Sequence, residues 1–182
     1  MGTAVSTAEV KTLYDAETIG GKVRELGARI ERDHPEPEPL FVSIVGGSVV
    51  FLADLIRAVS RPVRYETVQV VYSASGQEGD PLEIQYPISL DVDGQPVVMV
   101  KDVVSTGVPE SYLINQLQQR GASRVRIAAL IDLPEERRAD VVADYSVFTP
   151  RRVGRFAGYG LKYQGRYGNL PFLGRIVTTG ES

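Results

Sequence analysis

The chain has no cysteine and a single histidine, His34. The first absence excludes disulfides, thiolate metal sites and a cysteine nucleophile, and it accords with a reducing, cytoplasmic setting. The second excludes histidine-based triads and zinc sites, and leaves His34, at a helix end before a proline run, a capping or solvated role. No apolar run reaches membrane-spanning length, and Met1-Gly2-Thr3-Ala4-Val5-Ser6 lacks the basic-then-apolar form of a signal peptide. No membrane partner is therefore expected. With 43% hydrophobic and 24% charged residues the composition is ordinary for a soluble chain. A length of 182 residues suits one domain, able to bury about 70% of its unfolded surface.

The net charge of −3 hides an asymmetry. Residues 137–182 hold eight Lys/Arg against three Asp/Glu, a net of +5, which leaves −8 for residues 1–136. A basic C-terminal quarter suits an anionic ligand such as phosphate, with a solvated basic face as the plain alternative. Arg151-Arg152, Arg155 and Arg166 interleave with Phe156, Tyr159, Tyr163 and Tyr167, a pattern superficially like a nucleic-acid surface. The overall negative charge and the lack of a concentrated basic run oppose a nucleic-acid partner.

Periodicity gives the outline of the fold. Asp15 is placed to cap a helix running to His34, with Ile19, Val23, Leu26 and Ile30 on one face. Pro35-Glu36-Pro37-Glu38-Pro39 then breaks it. A short strand over residues 40–45 ends at Gly46-Gly47, and Ser48 caps a helix to about residue 59 with Val49, Leu52, Ala53 and Ile56 inward. Residues 64–72 read as a strand and 73–81 as a loop of small residues and turn formers. Strands over 83–90 and 97–104 are expected to pair as a hairpin through Asp93-Gly94. A helix over 110–120 stopped by Gly121, then strands over 125–131 and 144–148, complete a βαβ pattern that calls for a parallel α/β core. Glu135-Glu136-Arg137-Arg138 reads as a solvated turn.

The most telling stretch is Val97-Val98-Met99-Val100-Lys101-Asp102-Val103-Val104-Ser105-Thr106-Gly107. A buried strand ends in a glycine turn before a helix, which leaves backbone N–H groups pointing outward as a phosphate cradle. Further markers are Ile44-Val45-Gly46-Gly47, Phe51-Leu52-Ala53-Asp54-Leu55-Ile56-Arg57, Gly158-Tyr159-Gly160-Leu161-Lys162-Tyr163 and Asn169-Leu170-Pro171. In order and spacing these resemble the type I phosphoribosyltransferases, nearest the hypoxanthine-guanine family, over residues 15–176. The resemblance implies an α/β fold, a twisted, mostly parallel sheet flanked by helices. It places the core at about 38–150 and a small hood at about 1–37 and 151–182, within one domain. It implies transfer of phosphoribosyl from phosphoribosyl diphosphate to a 6-oxopurine with magnesium (Mg2+), and assembly as a homo-oligomer.

Carried over position by position, Asp102, Ser105, Thr106, Gly107 and Ser111 fall where the ribose and its phosphate are held. Gly46, Gly47, Lys101 and Lys162 fall on the diphosphate side, and Leu133, Arg155 and Phe156 at the base. Several of these depart from the family. Its main loop usually reads Glu-Asp-Ile-Ile-Asp-Thr-Gly, so Lys101 and Ser105 replace two of three acids. Val45 replaces the lysine beside the diphosphate, and Pro109 replaces a hydroxyl residue, removing a backbone donor. Leu133 replaces a lysine that reads the purine 6-oxygen, Arg155 an aromatic that stacks on the base, Lys162 a metal-binding aspartate and Gly168 an arginine. The candidates for a catalytic group are then Asp102, Ser105 and Lys101, no metal ligand set is apparent, and magnesium is implied only for a working transferase. Two functions follow. One is a protein that binds a phosphorylated ribose, nucleotide or other small phosphate ligand without ordinary purine salvage activity. The other is a transferase with a purine or an altered acceptor. A nucleic-acid-binding regulator on the same fold is a third.

Overall fold

A strand that is apolar on both faces must be covered on both, and residues 96–104 set the plan of the molecule accordingly. The structure is a computed structural model that describes residues 9–72, 82–87, 90–151 and 154–177. The loop expected at 73–81 lies outside them. The elements in chain order are β1 (Glu9–Tyr14), α1 (Ala16–Asp33), β2 (Leu40–Ile44), α2 (Ser48–Arg57), β3 (Arg64–Tyr72), β4 (Leu82–Gln85), β5 (Pro96–Val104), α3 (Val108–Gln119), β6 (Arg124–Asp132), β7 (Tyr145–Phe148), β8 (Phe156–Ala157) and β9 (Leu173–Val177). The main sheet has the order β4-β3-β2-β5-β6-β7. Five of its strands are parallel, and β4 runs antiparallel to β3 at one edge.

Two apolar layers cover this sheet. α1 and α2 pack on one face against Phe41, Val98, Val100, Ala128 and Leu130. α3 packs on the other through Leu113 and Leu117, against Val42, Met99 and Ile127. In α1 the expected stripe of Ile19, Val23, Leu26 and Ile30 is buried, each side chain adding about 2 kcal/mol. Asp15 caps the helix as expected, its Oδ1 accepting the Thr18 N–H at 2.8 Å. The connection β2-α2-β3 leads away from the centre on one side and β5-α3-β6 on the other, so the strand order reverses between β2 and β5. In open α/β sheets the crevice at the carboxyl ends of such strands is where ligands sit.

The terminal segments form a second sheet of order β1-β9-β8, antiparallel throughout. It joins the main body partly through Tyr14, whose ring stacks on Phe148 with centroids 3.7 Å apart.

Four expectations need correction. The hairpin through Asp93-Gly94 does not form, because β5 lies between β2 and β6 while β4 pairs beyond β3. The Asp-Gly turn is real but meets the end of α3 instead, with Gly94 N–H donating to Gly121 O at 2.9 Å. Ser48 is not a cap: its Oγ turns inward to the Ile44 carbonyl and to Ser43, and Gly47 takes the cap position. That inward serine sets the phase of α2, so Phe51, Leu52 and Leu55 are buried while Val49 is half exposed. His34 holds the C-cap position through its backbone N–H, which donates to Ile30 O, but its ring is buried rather than solvated. Arg137, read as part of a solvated turn, is engaged in the interior, as shown below.

Candidate functional site

The carboxyl ends of β2, β5 and β6 bring most of the expected residues together. Gly47, just after β2, lies directly against Asp102 of β5: a Cβ there would stand 2.5 Å from the Asp102 Oδ2 and 3.1 Å from the Leu161 side chain. Only glycine permits that approach. Asp102 Oδ1 accepts from Lys101 Nζ at 2.7 Å and from the Val103 N–H at 2.9 Å. The Lys101 and Asp102 side chains are 20% and 16% exposed, so this ion pair is largely screened from water. Adjacent strand residues ordinarily point to opposite faces, and here the long lysine reaches round to its neighbour.

The loop after β5 is tied down by its carbonyls. Ser105 O accepts from Arg137 Nη1 at 3.0 Å, and Thr106 O from the N–H groups of Arg138 and Ala139 at 2.8 and 3.0 Å. Gly107 O accepts the Ser111 N–H at 2.9 Å, which closes the first turn of α3. With the carbonyl edge occupied, the N–H groups of Ser105, Thr106 and Gly107 have no partner among the described residues. Gly107 is required at the cap of α3: its φ is +77°, and a Cβ would collide with Val141 and with Arg137 Cδ. The result is a helix N-terminus preceded by a short run of N–H groups without a partner among the described residues, an arrangement suited to an anion.

Two residues of this region escaped sequence reasoning. Arg137 pairs with Asp132 at the end of β6, both side chains 14% exposed, and its guanidinium lies beside Gly107. Its role depends on a fold-back that local sequence does not announce. Glu110 is only 2% exposed on α3. Burial pushes its carboxyl above the usual range, while Lys101 and Arg137 pull it back and Asp102 adds to the rise. A signal for it existed: residues 110, 113 and 117 form one helical stripe, and a glutamate there interrupts an otherwise apolar face.

On the base side, Leu133 and Phe156 meet the same apolar layer. Leu133 is buried in the apolar layer and lines a small cavity with Pro134, Glu135, Thr149, Pro150 and Arg151. Arg155 is turned to Tyr163, with its guanidinium 5.8 Å from the ring centroid and Nη1 donating to the hydroxyl at 3.3 Å. Phe156 pairs with Arg175 in the small sheet and packs against the same apolar layer as Leu133. Lys162 is exposed on the turn that carries Gly158 and Gly160, near Gly168. That turn is pinned to α2, since Tyr159 donates to Asp54 Oδ2 at 2.6 Å and burial raises the pKa of its hydroxyl.

Comparison with known proteins accounts for this arrangement. The phosphoribosyl transferase domain family matches residues 9–164. The hypoxanthine-guanine phosphoribosyltransferase of Bacillus subtilis is 32% identical over 165 residues, covering 90% of this chain and 91% of the relative. That of Streptococcus agalactiae is 32% identical over 166 residues with the same coverage. Among solved structures, a hypoxanthine-guanine phosphoribosyltransferase from Bacillus anthracis superposes with a TM-score of 0.85 at 29% identity, covering 94% of this chain and all of that one. A hypoxanthine phosphoribosyltransferase from Staphylococcus aureus gives 0.84 at 28% identity, covering 92% and 91%. Agreement of this extent, spanning the strands in their own order, makes the chain a member of the type I phosphoribosyltransferase family, related to the hypoxanthine-guanine enzymes.

Proposed function

We propose that the protein is a phosphoribosyltransferase that takes the phosphoribosyl group of phosphoribosyl diphosphate to a purine or to a base of altered polarity. The observation that carries this reading is the loop Ser105–Gly107. Its carbonyls are bound back to residues 137–139 and 111, which leaves its N–H edge and the start of α3 free for an anionic ligand. In this reading the loop holds the 5′-phosphate with the Arg137 charge behind it, and Asp102 holds the ribose. Lys101 and Lys162 meet the diphosphate. The relatives are named for hypoxanthine and guanine, which makes 6-oxopurines the first acceptors to try. Leu133, apolar and buried, offers the base no side-chain hydrogen bond at its position, which supports an acceptor of different polarity.

In the transfer a nitrogen of the base bonds to ribose C1 as the bond from C1 to diphosphate breaks, and the N–H proton of the base passes to the departing diphosphate or to water. Charge grows on the departing diphosphate, and fixed cations near it lower the barrier without a strong base. The family's magnesium does not fit the residues present. Asp102 is engaged by Lys101 and Val103, and Asp132 by Arg137, so neither carboxylate is free to join substrate phosphates around the ion. No step here runs through a metal.

The test is incubation with phosphoribosyl diphosphate and, in turn, hypoxanthine, guanine, xanthine and adenine, with the nucleotide read by mass. A nucleotide from at least one base is expected. If none forms while GMP or IMP still raises the melting temperature, the second reading takes over: a protein that binds a phosphorylated ribose without transferring it. The buried Lys101–Asp102 pair and the serine at 105 favour that alternative. Homo-oligomeric assembly and a cytoplasmic setting belong to the same proposal; no described helix is long and apolar enough to cross a membrane.

A further inference from the structure

We infer that the crevice carries its own cation: Lys101, paired with Asp102 and mostly out of water, takes the electrostatic place of a divalent ion, so that phosphoribosyl diphosphate binds without metal. This rests on the reading of the crevice as a phosphoribosyl site. Three observations support it.

The carboxylate that a metal would need is already committed. Asp102 Oδ1 accepts both Lys101 Nζ and the Val103 N–H, and its Oδ2 faces the backbone of Gly47. Magnesium demands near-octahedral oxygen ligands at short range, and a carboxylate shared with an ammonium 2.7 Å away supplies it poorly. A second positive ion beside Lys101 would also be repelled in a place largely removed from water, where such repulsion is strong.

The ammonium is fixed rather than mobile. Its side chain is mostly buried, and the charge that most favours an ionised Glu110 is Lys101, on the strand beneath α3. A cation held in an ion pair and mostly out of water is pre-organised, and an anionic ligand meets it without first having to order a long side chain.

The neighbouring carboxylate is closed as well. Asp132 is taken by Arg137, whose guanidinium lies beside the loop that faces the ligand. Thus Asp102 and Asp132 at these strand ends are each matched by a protein-borne cation, and the exposed Lys162 adds a further positive charge on the neighbouring turn. A trianionic or tetra-anionic ligand is suited to such a surface; a free divalent cation is not.

Calorimetric titration of the full chain with phosphoribosyl diphosphate, in EDTA and then with magnesium, tests this. The wild type should bind with nearly the same dissociation constant in both. Lys101→Glu should lose about tenfold or more in EDTA, the worth of a charge-assisted contact, and regain affinity when magnesium is added. Lys101→Arg keeps the charge and should keep metal-independent binding. The melting temperature of each variant confirms that it is folded. Wild-type binding that requires magnesium overturns the inference and leaves the proposed function standing. Lys101→Glu binding as tightly as wild type in EDTA overturns the role of Lys101. Absence of binding under both conditions overturns the phosphoribosyl reading itself, and the inference with it.

Discussion

The two ends of the parallel sheet both bury charge, and they use it differently. At the amino ends of β6 and β7 the groups are matched to one another. The Tyr145 hydroxyl, on a fully buried side chain, donates to Asp33 Oδ2 at 3.0 Å and meets Arg126 and His34 Nε2. Asp144 Oδ2 accepts the Ile127 N–H at 2.9 Å, and Arg29 lies over the Tyr145 ring. Arg126 Nε is the one buried atom of this cluster without a hydrogen bond. At the carboxyl ends the pairs Lys101–Asp102 and Arg137–Asp132 stand with the buried Glu110, and a row of N–H groups and an exposed Lys162 lie beside them. Satisfied polar groups lock a fold; polar groups left over at a crevice are where a ligand completes the set. The difference assigns stability to one end and binding to the other, although the same residue types build both.

That division can be broken by exchanging the roles. The largest effect is expected from Arg137→Ala. It strips Asp132 of its partner and frees the Ser105 carbonyl, so it should cost about 3 kcal/mol in urea unfolding, the scale for a pair broken away from water. It should also weaken phosphoribosyl diphosphate binding by about tenfold or more, since the loop loses its anchor and the crevice a cation. Tyr145→Phe comes next. It removes one hydroxyl from the partners Asp33, Arg126 and His34, for about 2 kcal/mol of stability. Ligand affinity should be unchanged, because the site lies at the other end of the strands. A Tyr145→Phe protein that loses ligand affinity as Arg137→Ala does would abolish the distinction.

The parts legible in the sequence are those where local pattern and final environment agree. The stripe Ile19, Val23, Leu26, Ile30 with its Asp15 cap specifies α1, and the two-faced apolar run before Lys101 specifies a central parallel strand. The hairpin failed because Asp93-Gly94 is a true turn whose partner is set by tertiary packing, here Gly121 rather than a neighbouring strand. The phase of α2 failed because one buried hydroxyl, Ser48, outweighed the valine pattern that follows it. In the site, the order of the loops could be read, and the motif placed Gly47, Asp102 and Gly107 where the chain brings them together. Arg137 could not be read, since its partners Ser105 and Asp132 become neighbours only when the 137–139 segment folds back over the loop. Arg155, expected at the base, rests against Tyr163, which offers both a ring and a hydroxyl within reach.

The smallest effects sharpen the comparison most, because the two ends should respond to pH with opposite sign. Burial, aided by Arg126, Arg124 and Arg61, holds His34 below its ordinary value of 6.5, against the pull of Asp33. Its contribution is therefore complete above 6.5, and it declines as the pH falls from there toward the folded value, since the unfolded chain takes up the proton first. Glu110 is displaced the other way, above its ordinary value of 4.5. Its contribution is complete below 4.5 and is lost as the pH rises through its folded value, because the unfolded carboxyl ionises more readily than the buried one. Between 4.5 and 6.5 the closed end thus gains stability with pH while the open end loses it. Urea unfolding across that window, compared with wild type, separates them. Glu110→Gln should make stability rise more steeply with pH, and His34→Gln should make it rise less steeply. Were both variants to change the slope in the same direction, the buried charge at the two ends would be doing the same work, and the division between a locked end and a receptive one would fail.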